Sequence, residues 1–319
     1  MNKTVDGIIF SYDRAMQLDS VLRSFYNLCK DHELINMTVL YKVSNELHAS
    51  QYENLQKEYQ KVNFILQSDF RSDVLKWVIS SSSRQNQTRY QIFTDTFLKT
   101  RKNKYLHIIF NRFVRQFVLR LLPYEVDKYL LFLVDDNIFC NDFSISTVIQ
   151  HLNKCQKTLG FSLRLGQNTS YCYAHNSNQA LPSFTTMDDH VLSYDWTVSE
   201  HDFKYPLEIS SSVYRTKQII PLLLRFFFDN PNALEGVMAA QWQEYTKKFP
   251  KLMCFERSVT FCNPINVVQK VTPNRAGTNT IYTAESLSQL FENGKRIDVN
   301  KYDGFIPTGC HQEVELFLI

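Results

Sequence analysis

Polar residues that could bind a divalent cation or a phosphate group follow three apolar segments of the sequence. One group begins with two adjacent carboxylates, which repel each other unless a cation or several hydrogen-bond donors compensate. Mg²⁺ or Mn²⁺, which prefer oxygen ligands, would supply that compensation. A turn whose Asp and Asn side chains cap the next element is the alternative explanation. The three groups are Ser11 to Arg14, Gln67 to Arg71, and Asp135 to Asn137.

The apolar segments before these groups predict strands of a parallel sheet. Residues 7–10, 37–43 and 62–66 are short apolar runs, and the two segments between them have helical patterns. Residues 129–134 form the most hydrophobic run, which is typical of a central strand. Because parallel strands end at one edge of a sheet, where ligands bind, all three polar groups are expected to face that edge.

The second half of the chain predicts further helices and strands. We expect a helix over residues 145–152, a strand over 160–166, and a strand followed by a Ser-rich turn over 205–214. A helix over residues 216–228 precedes another that opens at Pro231. No linker, repeat or low-complexity tract divides the sequence. The expected fold is therefore α/β, with a central, mostly parallel sheet and helices on both faces.

The composition disfavours several classes of chemistry. Glycine supplies only 8 residues, none in a GxGxxG, GxxxxGK[ST] or GxSxG pattern, so dinucleotide-fingerprint, P-loop and nucleophile-elbow chemistry are not expected. The 8 histidines form no HExxH and the 7 cysteines form no CxxC, which excludes zinc sites with those spacings. An odd, scattered set of cysteines fits a reducing compartment, so we expect a cytoplasmic protein.

Charge and hydropathy limit the expected partners. The net charge is +3, but residues 89–120 carry eight basic residues and one acid. This basic segment could face phosphates or an anionic membrane surface; the simpler expectation is a helix over residues 104–122 with its apolar face inside the domain and a solvated basic face. Residues 129–134 are far fewer than the roughly 20 that span a membrane, so only peripheral membrane contact is left open. No motif for nucleic-acid binding is present, and no such partner is expected.

Three motifs resemble those of nucleotide-sugar-dependent glycosyltransferases of the GT-A fold. IIFSYDRAMQLDSVLRSF is similar to the first strand, loop and helix of the inverting family-two transferases, LFLVDDNIF is similar to their DxD motif, and Leu234-Glu235 follows in the second half. The resemblance implies a single domain over residues 1–319, with a Rossmann-like nucleotide-sugar-binding half, 1–140, and an acceptor-binding half, 141–319. It also implies sugar transfer from a nucleoside diphosphate to a hydroxyl of a glycan, lipid-linked or protein acceptor, in polysaccharide or glycoconjugate biosynthesis.

The same resemblance implies roles for individual residues. An inverting transfer needs a carboxylate that deprotonates the acceptor hydroxyl, and Glu235 near a helix start suits this role. The alternative is that Glu235 only stabilises its helix through a favourable interaction with the helix dipole. Rival bases are Asp188, Asp189 and Asp202. The implied donor-binding residues are Ser11, Tyr12, Arg14, Arg71, Arg115 and Asp135, and the implied ligands of Mn²⁺ or Mg²⁺ are Asp136, Asn137 and His311.

Two other functions are compatible with these motifs. A sugar- or nucleotide-binding module of the same fold without catalysis is one, because Asn137 stands where the DxD motif has its second acid. A sugar-phosphate nucleotidyltransferase is the other, although the first loop lacks the glycines and lysine that such enzymes carry. Slow donor hydrolysis in the presence of Mn²⁺ would separate a transferase from a binding module.

Overall fold

The computed structural model describes residues 4–82, 128–266 and 282–319. Three of the expectations above fall outside these residues: the donor contact of Arg115, the helix over residues 104–122, and the basic segment over residues 89–120. The described strands are β1 Val5–Tyr12, β2 Ile35–Lys42, β3 Asn63–Leu66, β4 Tyr129–Val134, β5 Asn137–Phe139, β6 Thr158–Ser162, β7 Tyr171–Cys172, β8 Ser177–Asn178, β9 Thr185–Thr186, β10 Val191–Asp195, β11 Ser211–Arg215, β12 Lys251–Phe255 and β13 Thr260–Cys262. The described α-helices are α1 Ala15–Leu28, α2 Glu46–Glu58, α3 Phe70–Ser82, α4 Ile145–Lys154, α5 Thr216–Arg225, α6 Pro231–Ala239, α7 Trp242–Thr246 and α8 Ala284–Glu292.

Nine of these strands form one mixed sheet in the order β3-β2-β1-β4-β11-β6-β12-β10-β9. The first four strands in this order are parallel, so their carboxyl ends share one edge. β11 is antiparallel to both β4 and β6, whereas β6 and β12 are parallel. The predicted α/β class and the parallel order of β3, β2, β1 and β4 are therefore confirmed, and every antiparallel pair in this sheet includes β10 or β11.

β4 occupies the centre of the sheet, as its continuous apolar sequence predicts. Tyr129, Leu131 and Leu133 point to one face, where they share a core with α1, α2, α4 and α8. Leu130 and Phe132 point to the other face, where they pack with α3, α5 and α6. Successive side chains of a strand alternate between faces, so a strand covered by helices on both sides has no polar position.

Two strands of the second half differ from the sequence prediction. β11 begins at Ser211, so the Ser-rich segment is the strand and the residues before it are irregular. The reason is that the buried Glu208 carboxylate accepts hydrogen bonds from the Ser211 backbone N–H and the Ser212 hydroxyl, which fixes these serines at the start of the strand. β6 ends at Ser162 rather than Gly166, because Gly166 opens a turn that the Thr169 backbone N–H closes at 3.1 Å.

Candidate active site

Asp135 lies directly after β4 and connects the loops that follow β1 and β4. One carboxylate oxygen accepts from the Ser11 hydroxyl at 3.0 Å and from the Tyr12 backbone N–H at 3.2 Å. The other accepts from Arg14 Nη1 at 2.9 Å. The Ser11 hydroxyl also hydrogen-bonds with the buried Tyr52 hydroxyl of α2. Four sequence-predicted donor-binding residues, Ser11, Tyr12, Arg14 and Asp135, are therefore brought together in one network.

Arg14 extends this network to the second half of the chain. Its Nη2 donates to the Asn266 backbone carbonyl at 2.6 Å, and its backbone N–H donates to the Tyr52 hydroxyl at 3.2 Å. Tyr12 beside it is half-buried, with the Lys42 ammonium 5.3 Å from the centre of its ring. The Arg14 side chain is 10% exposed, so its charge is held in place by these contacts.

Asp136 is next to this network but lacks comparable partners. Its Oδ1 atom is buried and accepts no hydrogen bond from the described residues. Burial raises the pKa of Asp136 to about 6, Arg14 opposes the shift and Asp135 adds to it. A buried carboxylate oxygen without a donor is unfavourable, and a bound divalent cation would compensate for it. The residue therefore fits the metal-ligand role that the resemblance implies.

The Asn137 side chain is directed into the protein. Its amide oxygen accepts from the Val134 backbone N–H at 2.9 Å, and its amide nitrogen contacts the Cys262 sulfur at 3.4 Å. The side chain is fully buried, so these contacts close the turn between β4 and β5. In this geometry the Asn137 amide oxygen serves the turn, which was the alternative explanation for the polar triplet.

Backbone pairing brings His311 to the segment that flanks Asp136. β13 pairs antiparallel with β5, and its last residue, Cys262, forms a bridge with His311. The Asn263 N–H donates to the Asp136 carbonyl at 2.8 Å. Burial lowers the pKa of His311 to about 3, and the nearby Arg164 adds to the shift. The imidazole is therefore neutral at physiological pH, which is the form that binds metal ions.

Arg164 and Glu208 form a second buried ion pair, which the sequence analysis did not single out. Arg164 Nη2 lies 3.7 Å from Glu208 Oε2, and both side chains are at most 5% exposed. Glu208 also accepts from the Ser210 and Ser211 N–H groups and the Ser212 hydroxyl. In contrast, Arg164 Nη1 is buried and has no hydrogen-bond partner among the described residues.

Glu235 belongs to the same cluster. Asn230 caps α6 through its side chain and Pro231 occupies the first helical position, which leaves Glu235 just beyond the first turn. Burial raises the pKa of Glu235; Arg164 opposes the shift, Glu208 adds to it, and contacts from the Tyr205 hydroxyl and the Ile209 backbone lower the pKa. A carboxylate with a raised pKa beside an arginine is typical of a general base.

The rival bases are in different surroundings. Asp188 and Asp189 are exposed on the turn between β9 and β10, where they pair with Lys154 and His151 of α4. Asp202 is nearer to the cluster, because its charge acts on both Arg164 and the buried Cys310. Of the three, only Asp202 is therefore brought close to the cluster that contains Glu235.

Arg71 contacts the end of a helix. It lies in the first turn of α3, and its guanidinium donates to the Phe226 carbonyl at 3.0 Å and the Leu224 carbonyl at 3.2 Å. These carbonyls close the carboxyl end of α5, where a cation interacts favourably with the helix dipole. The described hydrogen bonds of Arg71 are therefore those of a helix cap.

The two halves of the chain meet in one electrostatic cluster. The charge of Asp136 acts on Arg14 and on the Cys262 thiol, and that thiol in turn interacts with Arg164 and Glu208. The charge of Arg164 also acts on Glu235. Electrostatic interactions thus connect Asp136, His311, Arg164 and Glu235, either directly or through the Cys262 thiol.

Comparison with curated proteins gives a relative for most of the chain. The bifunctional glycosyltransferase pgtA of Dictyostelium discoideum is 24% identical over 322 aligned residues, which cover 92% of this chain. The chain resembles a glycosyltransferase. It spans only 36% of that protein's length, and no family model matches the sequence.

Solved structures provide more distant matches. S. aureus TarS 1–349 in complex with UDP is 12% identical over 83% of this chain and 61% of its own, with a TM-score of 0.41. The 4-diphosphocytidyl-2C-methyl-D-erythritol synthase from Anaerococcus prevotii is 11% identical over 79% of this chain and 86% of its own, with a TM-score of 0.34. Both scores are low, so the α/β assignment rests on this chain's own sheet.

Membrane contact was one of the possibilities left open by the sequence. None of the helices in residues 4–82, 128–266 and 282–319 combines the length and apolar character needed to span a bilayer.

Proposed function

We propose that this chain is a glycosyltransferase that moves a sugar from a nucleoside diphosphate to an acceptor hydroxyl with inversion at the sugar carbon. The observation that carries the proposal is the cluster in which Arg14, Asp135 and Asp136 of the first half meet Arg164 and Glu235 of the second. The resemblance to a curated glycosyltransferase supports it. In this proposal residues 1–140 bind the donor and residues 141–319 bind a glycan, lipid-linked or protein acceptor.

The proposed reaction assigns the proton transfer to Glu235. Its carboxylate accepts the proton of the acceptor hydroxyl while the hydroxyl oxygen attacks the anomeric carbon. The bond between that carbon and the diphosphate oxygen breaks, and its electron pair leaves with the nucleoside diphosphate. Because attack and departure occur on opposite faces, the anomeric configuration inverts. The raised pKa of Glu235 suits this step, since a base is most effective when its pKa approaches the working pH.

Asp136 and His311 are the proposed metal ligands. A carboxylate and a neutral imidazole suit Mn²⁺ better than Mg²⁺, which prefers oxygen ligands alone. A bound cation would stabilise the negative charge that develops on the departing diphosphate. Asn137 stays in the proposal as a residue that positions Asp136 through the turn, because its amide oxygen is engaged with Val134.

Ser11, Tyr12, Arg14 and Asp135 are the proposed donor-binding residues. The Asp135 carboxylate fixes the last two residues of β1 and Arg14 through three hydrogen bonds, so this segment is organised before any donor binds. Preorganisation of this kind reduces the entropy lost on binding. The described hydrogen bonds of Arg71 go to the carboxyl end of α5. Arg115 keeps its proposed role in phosphate pairing on the basis of the sequence alone.

The replacement Glu235→Gln tests the proposal. Gln keeps the size of the side chain and removes its basicity, so turnover should fall about 100- to 10,000-fold while donor affinity stays near normal. The assay measures nucleoside diphosphate release from a panel of nucleotide sugars with Mn²⁺, and the anomeric configuration of the product is read by NMR.

Asp188→Asn is the matched control, because it removes a carboxylate from an exposed position on the turn between β9 and β10. Its turnover should equal that of the unmodified chain. Near-normal turnover in Glu235→Gln would transfer the role of base to Asp202. A product with retained configuration would contradict the inverting mechanism, and pyrophosphate release would identify a nucleotidyltransferase. Donor binding without any turnover would identify a binding module.

The state of the cysteines bears on the proposed cellular location. All seven cysteines are free thiols and six of them are buried. A reducing compartment such as the cytoplasm, with at most peripheral membrane contact, would preserve that state.

A further inference from the structure

A cluster of one thiol and two imidazoles lies outside the proposed active site. Cys172 ends β7, His175 lies in the turn between β7 and β8, and His201 opens a short 3-10 helix, His201–Lys204. The sulfur of Cys172 and one nitrogen of each histidine all lie within 4.8 Å of one another. The two imidazole rings are 4.4 Å apart between centroids.

The chemistry of this cluster matches that of a zinc site. Thiolate and imidazole are the ligands that Zn²⁺ prefers, and a tetrahedral site needs four ligands in all. The three ligand atoms on this chain leave the fourth position for a water molecule, and the Asp202 carboxylate interacts with the Cys172 thiol beside it. Asp202 is itself held by Gln179, which accepts from its backbone N–H at 3.0 Å and donates to its carboxylate at 3.4 Å.

The surroundings of the sulfur also favour a bound metal. The backbone N–H groups of Ala174 and His175 contact the Cys172 sulfur. Such donors stabilise the negative charge that a metal-bound thiolate carries. Cys172 is 1% exposed while His175 is exposed, so a metal ion could enter from the solvent and reach the buried sulfur.

We propose that Cys172, His175 and His201 bind one Zn²⁺ ion, with a water molecule as the fourth ligand. The ion would tie the hairpin of β7 and β8 to the His201–Lys204 helix. The same hairpin supports the segment that carries His311, because the Tyr171 N–H donates to the Thr308 carbonyl at 3.0 Å. The Tyr173 ring lies 6.3 Å from the His311 ring. Zinc would therefore brace one wall of the candidate active site, whatever reaction that site performs.

Metal analysis of the full chain tests this proposal. The protein is purified without a histidine tag, stripped with a chelator and titrated with Zn²⁺ and Co²⁺. The background variant Asp136→Asn weakens the other proposed metal site, so that the ion counted belongs to the new one. We expect one equivalent of Zn²⁺, and a Co²⁺ spectrum with tetrahedral d–d bands and a thiolate charge-transfer band.

Three ligand variants, His175→Ala, Cys172→Ser and His201→Ala, and one control decide the outcome. His175→Ala, at an exposed position where folding should be unaffected, is expected to weaken Zn²⁺ binding by at least about tenfold. Cys172→Ser should abolish the thiolate charge-transfer band. His190→Ala removes an equally exposed histidine, paired with Glu256, and should bind Zn²⁺ like the parent. Unchanged Zn²⁺ affinity in both His175→Ala and His201→Ala, or no stoichiometric binding in the parent, would overturn the proposal.

Discussion

Two buried arginine–carboxylate pairs lie in the candidate site, and they differ in how their hydrogen-bonding groups are used. Arg14 contacts Asp135 at 2.9 Å and also donates to the Asn266 carbonyl, so both of its terminal nitrogens have partners. Arg164 lies 3.7 Å from Glu208, and its Nη1 has no partner among the described residues. Glu208 relies instead on donors from the serines that follow it.

This difference leaves a terminal nitrogen available for a ligand on Arg164 and not on Arg14. The Arg14–Asp135 pair holds the end of β1 and the loop after β4 together, and it engages both terminal nitrogens of Arg14 but leaves its buried Nε without a partner among the described residues. Arg164 keeps a buried donor and a positive charge beside Glu235 and His311. Leaving a buried donor unpaired costs free energy, and a substrate that accepts a hydrogen bond from Arg164 would remove that cost.

Asp135→Ala should produce the largest loss of stability. It leaves the buried Arg14 charge without its counter-ion and removes the acceptor for Ser11 and Tyr12, which should cost about 3–5 kcal/mol in the free energy of unfolding. Urea denaturation measures the loss. Glu244→Ala, which breaks the exposed pair with Arg225, should cost only about 0.2–1 kcal/mol. Equal losses in the two variants would show that the Asp135 pair has no special structural role.

Arg164→Met should have a smaller effect on stability and a larger one on the pH dependence of catalysis. Glu208 keeps its local donors, so we expect a loss of about 1–3 kcal/mol. The Arg164 charge lowers the pKa of Glu235, so its removal raises that pKa. A base must be deprotonated to act, and the acidic limb of the kcat/KM profile should therefore move to higher pH. An acidic limb at the same pH in Arg164→Met as in the unmodified chain would show that the Arg164 charge does not act on the catalytic base.

Asp136→Asn should change metal affinity while sparing the fold. The neutral amide removes a buried charge whose Oδ1 lacks a donor, so the unfolding free energy should be unchanged or higher. Mn²⁺ affinity, measured by calorimetry, should fall at least tenfold, or about 1.4 kcal/mol. Asn137→Ala should give the reverse result, with lost stability and retained Mn²⁺ affinity. Lower Mn²⁺ affinity with unchanged stability in Asn137→Ala would instead identify Asn137 as the ligand.

Arg71→Met should have the smallest effect. Its guanidinium caps α5, and loss of a cation at a helix carboxyl end costs about 0.3–1 kcal/mol. Thermal denaturation measures this loss, and donor affinity should be unaffected. A clear fall in donor affinity would return Arg71 to the donor site.

The fold of the first half follows from the sequence because its signals are local. Each strand is a short apolar run, each helix has its own periodicity, and parallel pairing then fixes which loops share an edge. Ser11, Arg14 and Asp135 could therefore be grouped from their positions after strands. The position of Glu235 near a helix start could also be predicted from the sequence, because Asn230 and Pro231 mark where that helix begins.

The remaining site residues depend on contacts that sequence spacing does not encode. Arg164 and Glu208 come from irregular segments 44 residues apart, and their pairing exists only once β6 and β11 are neighbours. The inward rotation of Asn137 depends on the Val134 N–H and on Cys262 of a distant strand. Cys172 and His175 have a close spacing, but the third member of their cluster, His201, follows only after the next hairpin.

The pairing of Cys262 with His311 gives the site an order of assembly during translation. The Arg14–Asp135 pair can form once the first half has left the ribosome, whereas His311 reaches Cys262 only after nearly the whole of this sequence has been synthesised. Gln312 then extends the ladder by donating to the Cys262 carbonyl at 3.0 Å. A nascent chain would thus be able to form the Arg14–Asp135 contact early and the pairing of Cys262 with His311 last.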